Sequence, residues 1–206
     1  MNTVRFITPD EVEYIRHLYS IDRRSVGVEF DDAKITRIVD GTRKLLTNDM
    51  CACPMVFNES NIPIGMYLGY DIPRAGGWVV GLTKVLQASN HYNTTAPMLA
   101  PALNMLLEKM ESKGYYKWWM GAPESWHNIR NKIMRRHSYM LDRYDWVDET
   151  VIPRGETSPV DLYNAYSSPC NWSDITMRMF VLRQQYRVNH LRKQNHTDYK
   201  GTVIDT

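Results

Sequence analysis

The chain reads as an α/β protein of the α+β kind: a mixed, mostly antiparallel central sheet flanked by helices, with a helical extension at its C-terminus. Three observations predict this. Two apolar runs, residues 50–57 and 62–70, flank the turn Asn58-Glu-Ser-Asn61, a hairpin signature. A third run, Gly77-Trp-Val-Val-Gly-Leu-Thr-Lys-Val-Leu86, leads into a polar loop, residues 87–95, and then an amphipathic stretch, 96–112. That stretch stops at Gly114 and gives way to Tyr115-Tyr-Lys-Trp-Trp-Met120. Strand, loop, helix, strand is a crossover unit, so one parallel pair is expected within an otherwise antiparallel sheet.

The elements follow in order. Val4-Arg-Phe-Ile7 is a short strand. Thr8-Pro9-Asp10-Glu11 starts a helix, with a capping residue, proline at the first helical position and acids in the first turn. Asp31 or Asp32 caps a second helix, with Ile35, Ile38 and Val39 facing inward. Pro54 and Pro63 belong at edges or bulges of the hairpin. In residues 96–112, Leu99, Leu103, Leu106, Leu107 and Met110 recur at helical spacing. After the strand at 115–120, a helix is expected at 126–137 and a last hairpin from segments 139–147 and 149–153. Ser173-Asp174 caps a final helix running to about residue 193, with Ile175, Met179, Leu182 and Tyr186 on one side and Arg178, Arg183, Arg187 and Arg192 on the other.

A length of 206 residues fits one domain with an appendage. The divisions expected are a domain at 1–153, a linker or arm at 154–172, and a basic amphipathic helix and tail at 173–206. A net charge of +2 is too small to call for a nucleic-acid partner, and none is expected. Six Trp and 13 Tyr point to a large aromatic core. Cys51, Cys53 and Cys170 make an odd count, and Cys51-Ala-Cys53 is expected to place its two thiols in different environments. No Cys or His pairs stand at zinc spacing, so no metal is expected. No apolar run approaches the ~20 residues that span a bilayer, and a cytoplasmic location is expected.

A loop that opens a helix straight after a strand gathers unpaired backbone N–H groups and the positive end of the helix dipole, which suits an anion such as a phosphate. The candidate cradle comprises the backbone of Val85 and Gln87 and the loop from His91 to Ala96, where Asn93, Thr94 and Thr95 offer side-chain donors. The alternative is an ordinary N-cap at Thr94 or Thr95. Glu124, just past the 115–120 strand, and Glu59, on the hairpin tip, are candidate bases or solvated surface carboxylates. No Ser-His-Asp or Cys-His pairing is legible.

This order of elements resembles the GNAT superfamily of acyl-CoA-dependent N-acyltransferases, over residues 3–153 and most clearly 50–147. Asn61-Ile-Pro-Ile-Gly65 looks like its hairpin turn. The strand at 77–86 and the helix ending in Lys113-Gly114-Tyr115 look like its cofactor-binding motif. Asn128 looks like the asparagine that opens the helix after the fifth strand. The resemblance implies a fourth and a fifth strand that splay apart, with acetyl-CoA or another acyl-CoA in the gap. It also implies pyrophosphate on the loop amides and pantetheine against the fourth strand. The family's loop pattern, Gln/Arg-x-x-Gly-x-Gly/Ala, aligns here with His91-Tyr-Asn-Thr94-Thr-Ala96, so Thr94 replaces a glycine. Arg135 stands where the family places the tyrosine that protonates the leaving thiolate, and Tyr139 lies four residues further on as the substitute.

Two readings follow. One is a GNAT-like N-acyltransferase that moves an acyl group from acyl-CoA to an amine. The other is a catalytically degenerate GNAT-like structural protein of a larger assembly, such as a bacteriophage virion component, located in the host cytoplasm or the virion. A protein assembly would form through residues 154–206. For the basic C-terminal segment itself, docking on the domain, nucleic-acid binding and locking into an assembly all stay open.

Overall fold

The computed structural model of the chain describes residues 2–21, 24–25, 28–72, 77–85, 92–123, 138–152 and 175–187. In chain order these form β1 (Thr3–Phe6), a 3-10 turn (Pro9–Glu11), α1 (Glu13–Ile21), the small pair β2 (Arg24–Ser25) and β3 (Val28–Glu29), and α2 (Asp32–Thr47). Next come β4 (Cys51–Ala52), β5 (Pro54–Phe57), β6 (Pro63–Ile72), β7 (Gly77–Val85) and α3 (Tyr92–Ser112). The last elements are β8 (Lys117–Pro123), α4 (Ser138–Arg143), β9 (Tyr144–Ile152) and β10 (Ile175–Leu182). The main sheet has eight strands in the order β1-β5-β6-β7-β8-β10-β9, with β4 also on β6. Among the described residues every neighbouring pair of strands in this sheet is antiparallel except β7 with β8, so the expected mixed sheet is present and its parallel junction falls at the crossover.

Local chemistry sets the ends of these elements. The Thr8 amide donates to Glu11 Oε2 at 3.0 Å, and Pro9 opens the turn behind it. Asp31 Oδ1 accepts from the Lys34 amide at 2.7 Å and caps α2. In the hairpin turn, Asn58 Oδ1 accepts from the amides of Ser60 and Ile62 at 3.0 and 2.9 Å. Asn61 takes a left-handed φ of 56°, which asparagine tolerates better than most residues. Pro63 sits beside a bulge: Val56 faces Gly65 and Phe57 faces Pro63, leaving Ile64 extra. Gly114, with φ 88°, ends α3 as expected.

The sheet carries helices on both faces, and the period-2 alternation of the strands sorts the two cores. Met55, Phe57, Met66, Leu68 and Tyr70 face α1 and α2, whereas Val56, Tyr67, Trp78, Trp118 and Phe180 face α3. Cys51 and Cys53 share the α1–α2 core. Their expected separation is corrected, because residues two apart on an extended strand point to the same face. Burial pushes the Cys51 thiol up to about 12, so neither acts as a nucleophile from there.

Further corrections concern the C-terminal half. Segments 139–147 and 149–153 do not form a hairpin; α4 takes the first residues and β9 runs unbroken through the rest. The final helix expected from Ser173 to about residue 193 is replaced over 175–182 by strand β10, inserted between β8 and β9, and among the described residues only 184–187 of that stretch are helical. Arg178, expected on a solvated helix face, is 7% exposed, with its guanidinium 3.6 Å from the Trp146 ring centroid. The predicted helix at 126–137, the arm at 154–172 and residues 188–206 lie outside the described residues. Among the described residues no helix is long and apolar enough to cross a membrane, and no group of three metal-ligating side chains gathers.

Candidate active site

β7 and β8 pair over three rungs: Trp78 with Trp118, Val79 with Trp119 and Val80 with Met120. Beyond Val80 and Met120 each strand keeps only its outer neighbour. Leu82 to Val85 stay on β6, and Gly121 to Pro123 stay on β10. β7 bulges at the same point. Leu82 faces Leu68 and Val80 faces Gly69, so Gly81 is the extra residue. A bulge bends its strand and increases its twist, and here it carries β7 away from β8 where the rungs stop. The sheet opens into a wedge with Val80 and Met120 at its apex.

Below the apex the junction is tight. A Cβ built on Gly77 would lie 2.5 Å from the Lys117 carbonyl oxygen and 2.5 Å from Trp119 Cζ3, so only glycine lets the start of β7 sit this close to β8. The Trp118 ring stacks on Phe180 (centroids 4.3 Å apart, planes 17°) and takes Tyr144 edge-on at 6.0 Å. These contacts hold β8, β10 and β9 together beside the closed end. Tyr115, at the same end, is pushed up to about 12 by burial, with a hydrogen bond to Asp71 adding to the shift, so it stays protonated.

The chain leaves β7 at the open end of the wedge and enters β8 at the closed end, so α3 runs back over the sheet with its first turn toward the mouth. Its position along the sheet is fixed by Leu106, whose Cδ1 would lie 2.7 Å from a Cβ on Gly69, the rung partner of Val80. From Leu106 back to Tyr92 the helix rises about 21 Å. From Val80 to Val85 the strand advances about 17 Å. The first turn of α3 therefore reaches the level of the mouth. It holds no acidic residue, so no carboxylate there offsets the positive end of the helix dipole. The start of α3 thus lies level with the open end of the parted strands.

The far end of α3 is anchored by a group the sequence reading missed. Glu111 accepts from Arg143 Nε at 3.2 Å and from Arg143 Nη2, and Tyr144 Oη donates to Glu111 Oε1 at 2.7 Å. Arg143 also lies 4.4 Å from the Tyr186 ring centroid. This cluster ties α3 to α4 and β9. Its members stand 32 and 33 residues apart, beyond the reach of any local spacing rule.

The predicted site residues fall into three groups. Val85 ends β7 at the mouth, and Asn93, Thr94, Thr95 and Ala96 lie at the start of α3, so the structure brings these five to one end of the wedge. Because α3 begins at Tyr92, Thr94 and Thr95 are inside the helix, and the expected N-cap at either of them is corrected. Thr94 lies within α3, where the helical φ is negative, so its backbone does not require glycine. Tyr139 is the second residue of α4, not part of a strand. Gln87, His91, Glu124, Asn128 and Arg135 lie outside the described residues. Glu59 is exposed on its hairpin. The apex residues Val80, Gly81 and Met120 were not singled out, although a glycine inside a β-branched run is a bulge signal.

A mixed sheet parted at its one parallel junction, with a crossover helix starting at the mouth, defines the class: this is the fold of the GNAT N-acetyltransferases. No family model and no curated protein sequence matches the chain. Solved structures match it along nearly its whole length. A GNAT-family structure from Desulfovibrio desulfuricans superposes with a TM-score of 0.58 at 9% identity, covering 88% of this chain and 99% of that one. A spermidine N-acetyltransferase from Vibrio cholerae gives 0.55 at 10% identity, covering 90% and 95%. A ribosomal-protein-alanine N-acetyltransferase from Escherichia coli gives 0.54 at 10% identity, covering 88% and 94%. At such identities the likeness is one of fold, and the GNAT resemblance drawn from the sequence holds at that level.

Proposed function

We propose that this protein is an acyl-CoA-dependent N-acyltransferase, moving an acetyl or similar acyl group from acyl-CoA to an amine. The observation that carries this is the wedge between β7 and β8, with the acid-free first turn of α3 at its mouth. A bound acyl-CoA places its pyrophosphate on the amides at the start of α3, where Asn93, Thr94, Thr95, Ala96 and the preceding Gln87 and His91 supply the cradle. Its pantetheine runs down the free edge of β7 from Val85, taking up the main-chain groups that β8 leaves unpaired. Asn128 contributes from the segment after β8.

The thioester then lies toward the apex. A neutral amine attacks its carbonyl carbon, giving a tetrahedral intermediate that collapses with loss of the CoA thiolate. Glu124, one residue past β8, takes a proton from the incoming ammonium before attack; on collapse Tyr139 gives its proton to the thiolate sulfur, and the second proton lost by the nitrogen returns to the Tyr139 phenolate through solvent. Arg135, in the place of the family's tyrosine, makes Tyr139 the residue on which this assignment turns.

Titration calorimetry with acetyl-CoA tests the reading. Saturable binding is expected for the unmodified protein, with loss of binding in Thr94→Trp, which fills the cradle. Absence of binding by the unmodified protein would remove the acyltransferase reading and leave a scaffold with this fold.

A further inference from the structure

The last rung of the β7–β8 ladder carries a second consequence for whatever enters the wedge. Any acyl-CoA held at the mouth by its phosphates points its acyl end at the apex, so the residues that close the apex meet the acyl group first. We infer that Val80 and Met120 limit the length of the acyl group, admitting acetyl and turning away longer chains. This deepens the acyl-CoA reading above and rests on it.

The argument comes from packing on both faces of the apex. Val80 is 3% exposed and Met120 8%, and both belong to the core beneath α3, with Leu99, Leu103 and Leu106 above them. The preceding rung, Val79 and Trp119, is likewise buried at 4% and 8%. Leu106 is pressed against Gly69 at the same level, so α3 cannot settle closer there or tip away without losing that contact. Apolar side chains thus occupy both sides of the floor. A chain longer than acetyl must displace close-packed groups, which resist even a methylene of added volume. Met120 is the adjustable member, unbranched and free to change rotamer, so trimming it opens the floor with least disturbance.

The experiment measures affinities of CoA, acetyl-CoA, butyryl-CoA and octanoyl-CoA by calorimetry, and so needs no amine acceptor. Butyryl-CoA is expected to bind the unmodified protein roughly tenfold or more weaker than acetyl-CoA, and octanoyl-CoA weaker again. Met120→Ala should bring butyryl-CoA to within about threefold of acetyl-CoA, Val80→Ala should narrow the gap less, and Met120→Leu, which conserves volume, should keep it. Circular dichroism confirms that each variant is folded, and Val80→Ala carries the test if Met120→Ala is not. Equal affinities for acetyl- and butyryl-CoA in the unmodified protein would overturn the length limit while leaving the acyl-CoA reading intact. An unchanged gap in the folded alanine variants would move the limit away from Val80 and Met120. No binding of any of the four, free CoA included, would instead sink the acyl-CoA reading itself.

Discussion

The same two strands behave in opposite ways on either side of Val80 and Met120. Below that rung β7 and β8 are laced together, with a glycine at the closest backbone approach and an aromatic stack beside it. Above it each strand turns to its outer neighbour and the inner edges face each other across a gap. A parallel junction buried on both faces ordinarily continues as a ladder, so the gap requires a local cause. Gly81 supplies it. One unpaired residue in β7 puts the strand on a new course, and above it β7 pairs with β6 and β8 with β10 but not with each other. The closed half holds the sheet together, and in the proposed function the open half receives the acyl-CoA.

The comparison is broken most severely from the closed side. Trp118→Ala removes the ring that joins Phe180 and Tyr144 and is fully buried. It should lower unfolding stability by about 4 kcal/mol, read from urea denaturation. A loss under about 1 kcal/mol would mean that the aromatic layer does not hold β8, β10 and β9 together.

The open half was legible in outline and the closed half was not, for a physical reason. A β-rich run, a polar loop and an amphipathic helix are local signals, and they mark the crossover. The apex depends on ladder register and on one bulge, which only the partner strands define. β10 shows the limit more sharply. In Ile175-Thr-Met-Arg-Met-Phe-Val-Leu182 the buried positions 178, 180 and 182 include an arginine, while the apolar Met179 and Val181 between them are only half-buried, so residue type does not follow the alternation of the strand. The helix-capping pair Ser173-Asp174 and the arginines beyond tipped the reading toward a helix. Tertiary pairing overrode that local preference. The residue that places the last strand is Phe180 on Trp118, a contact across 62 positions of chain that no window contains.

Two glycines refine the contrast. Gly77→Ala forces a Cβ onto the Lys117 carbonyl, a backbone atom that cannot rotate aside, and should cost about 3 kcal/mol. Gly69→Ala meets Leu106 Cδ1 at 2.7 Å and Trp78 Cε3 at 2.8 Å, side-chain atoms of which the leucine can turn away, and should cost about 1.5 kcal/mol. Urea midpoints of the two variants decide the point. Equal losses would show that backbone proximity is not what seals the closed end.

The smallest effect is expected furthest from the wedge, and it separates fold stability from the site. Arg5 of β1 donates to Glu11 through Nη1 at 2.8 Å and Nη2 at 2.6 Å, and the Thr8 amide adds a third hydrogen bond to the carboxylate. These bonds, Arg5's first, lower the Glu11 carboxyl from 4.5 to about 2. The unfolded chain therefore binds this proton more readily between pH 4.5 and 2. The stabilisation is fully present above pH 4.5 and is lost as pH falls through that window. Arg5→Ala should flatten this part of the acid limb in a pH series of urea midpoints, by a small amount, because the pair is partly exposed at 41% and 27%. Acetyl-CoA affinity at pH 7 should not change, since Arg5 and Glu11 sit on the opposite edge of the sheet from the β8 side of the wedge. A fall in affinity with Arg5→Ala would mean that the edge strand and the wedge are coupled, and the division into a stabilising half and a receiving half would have to be redrawn.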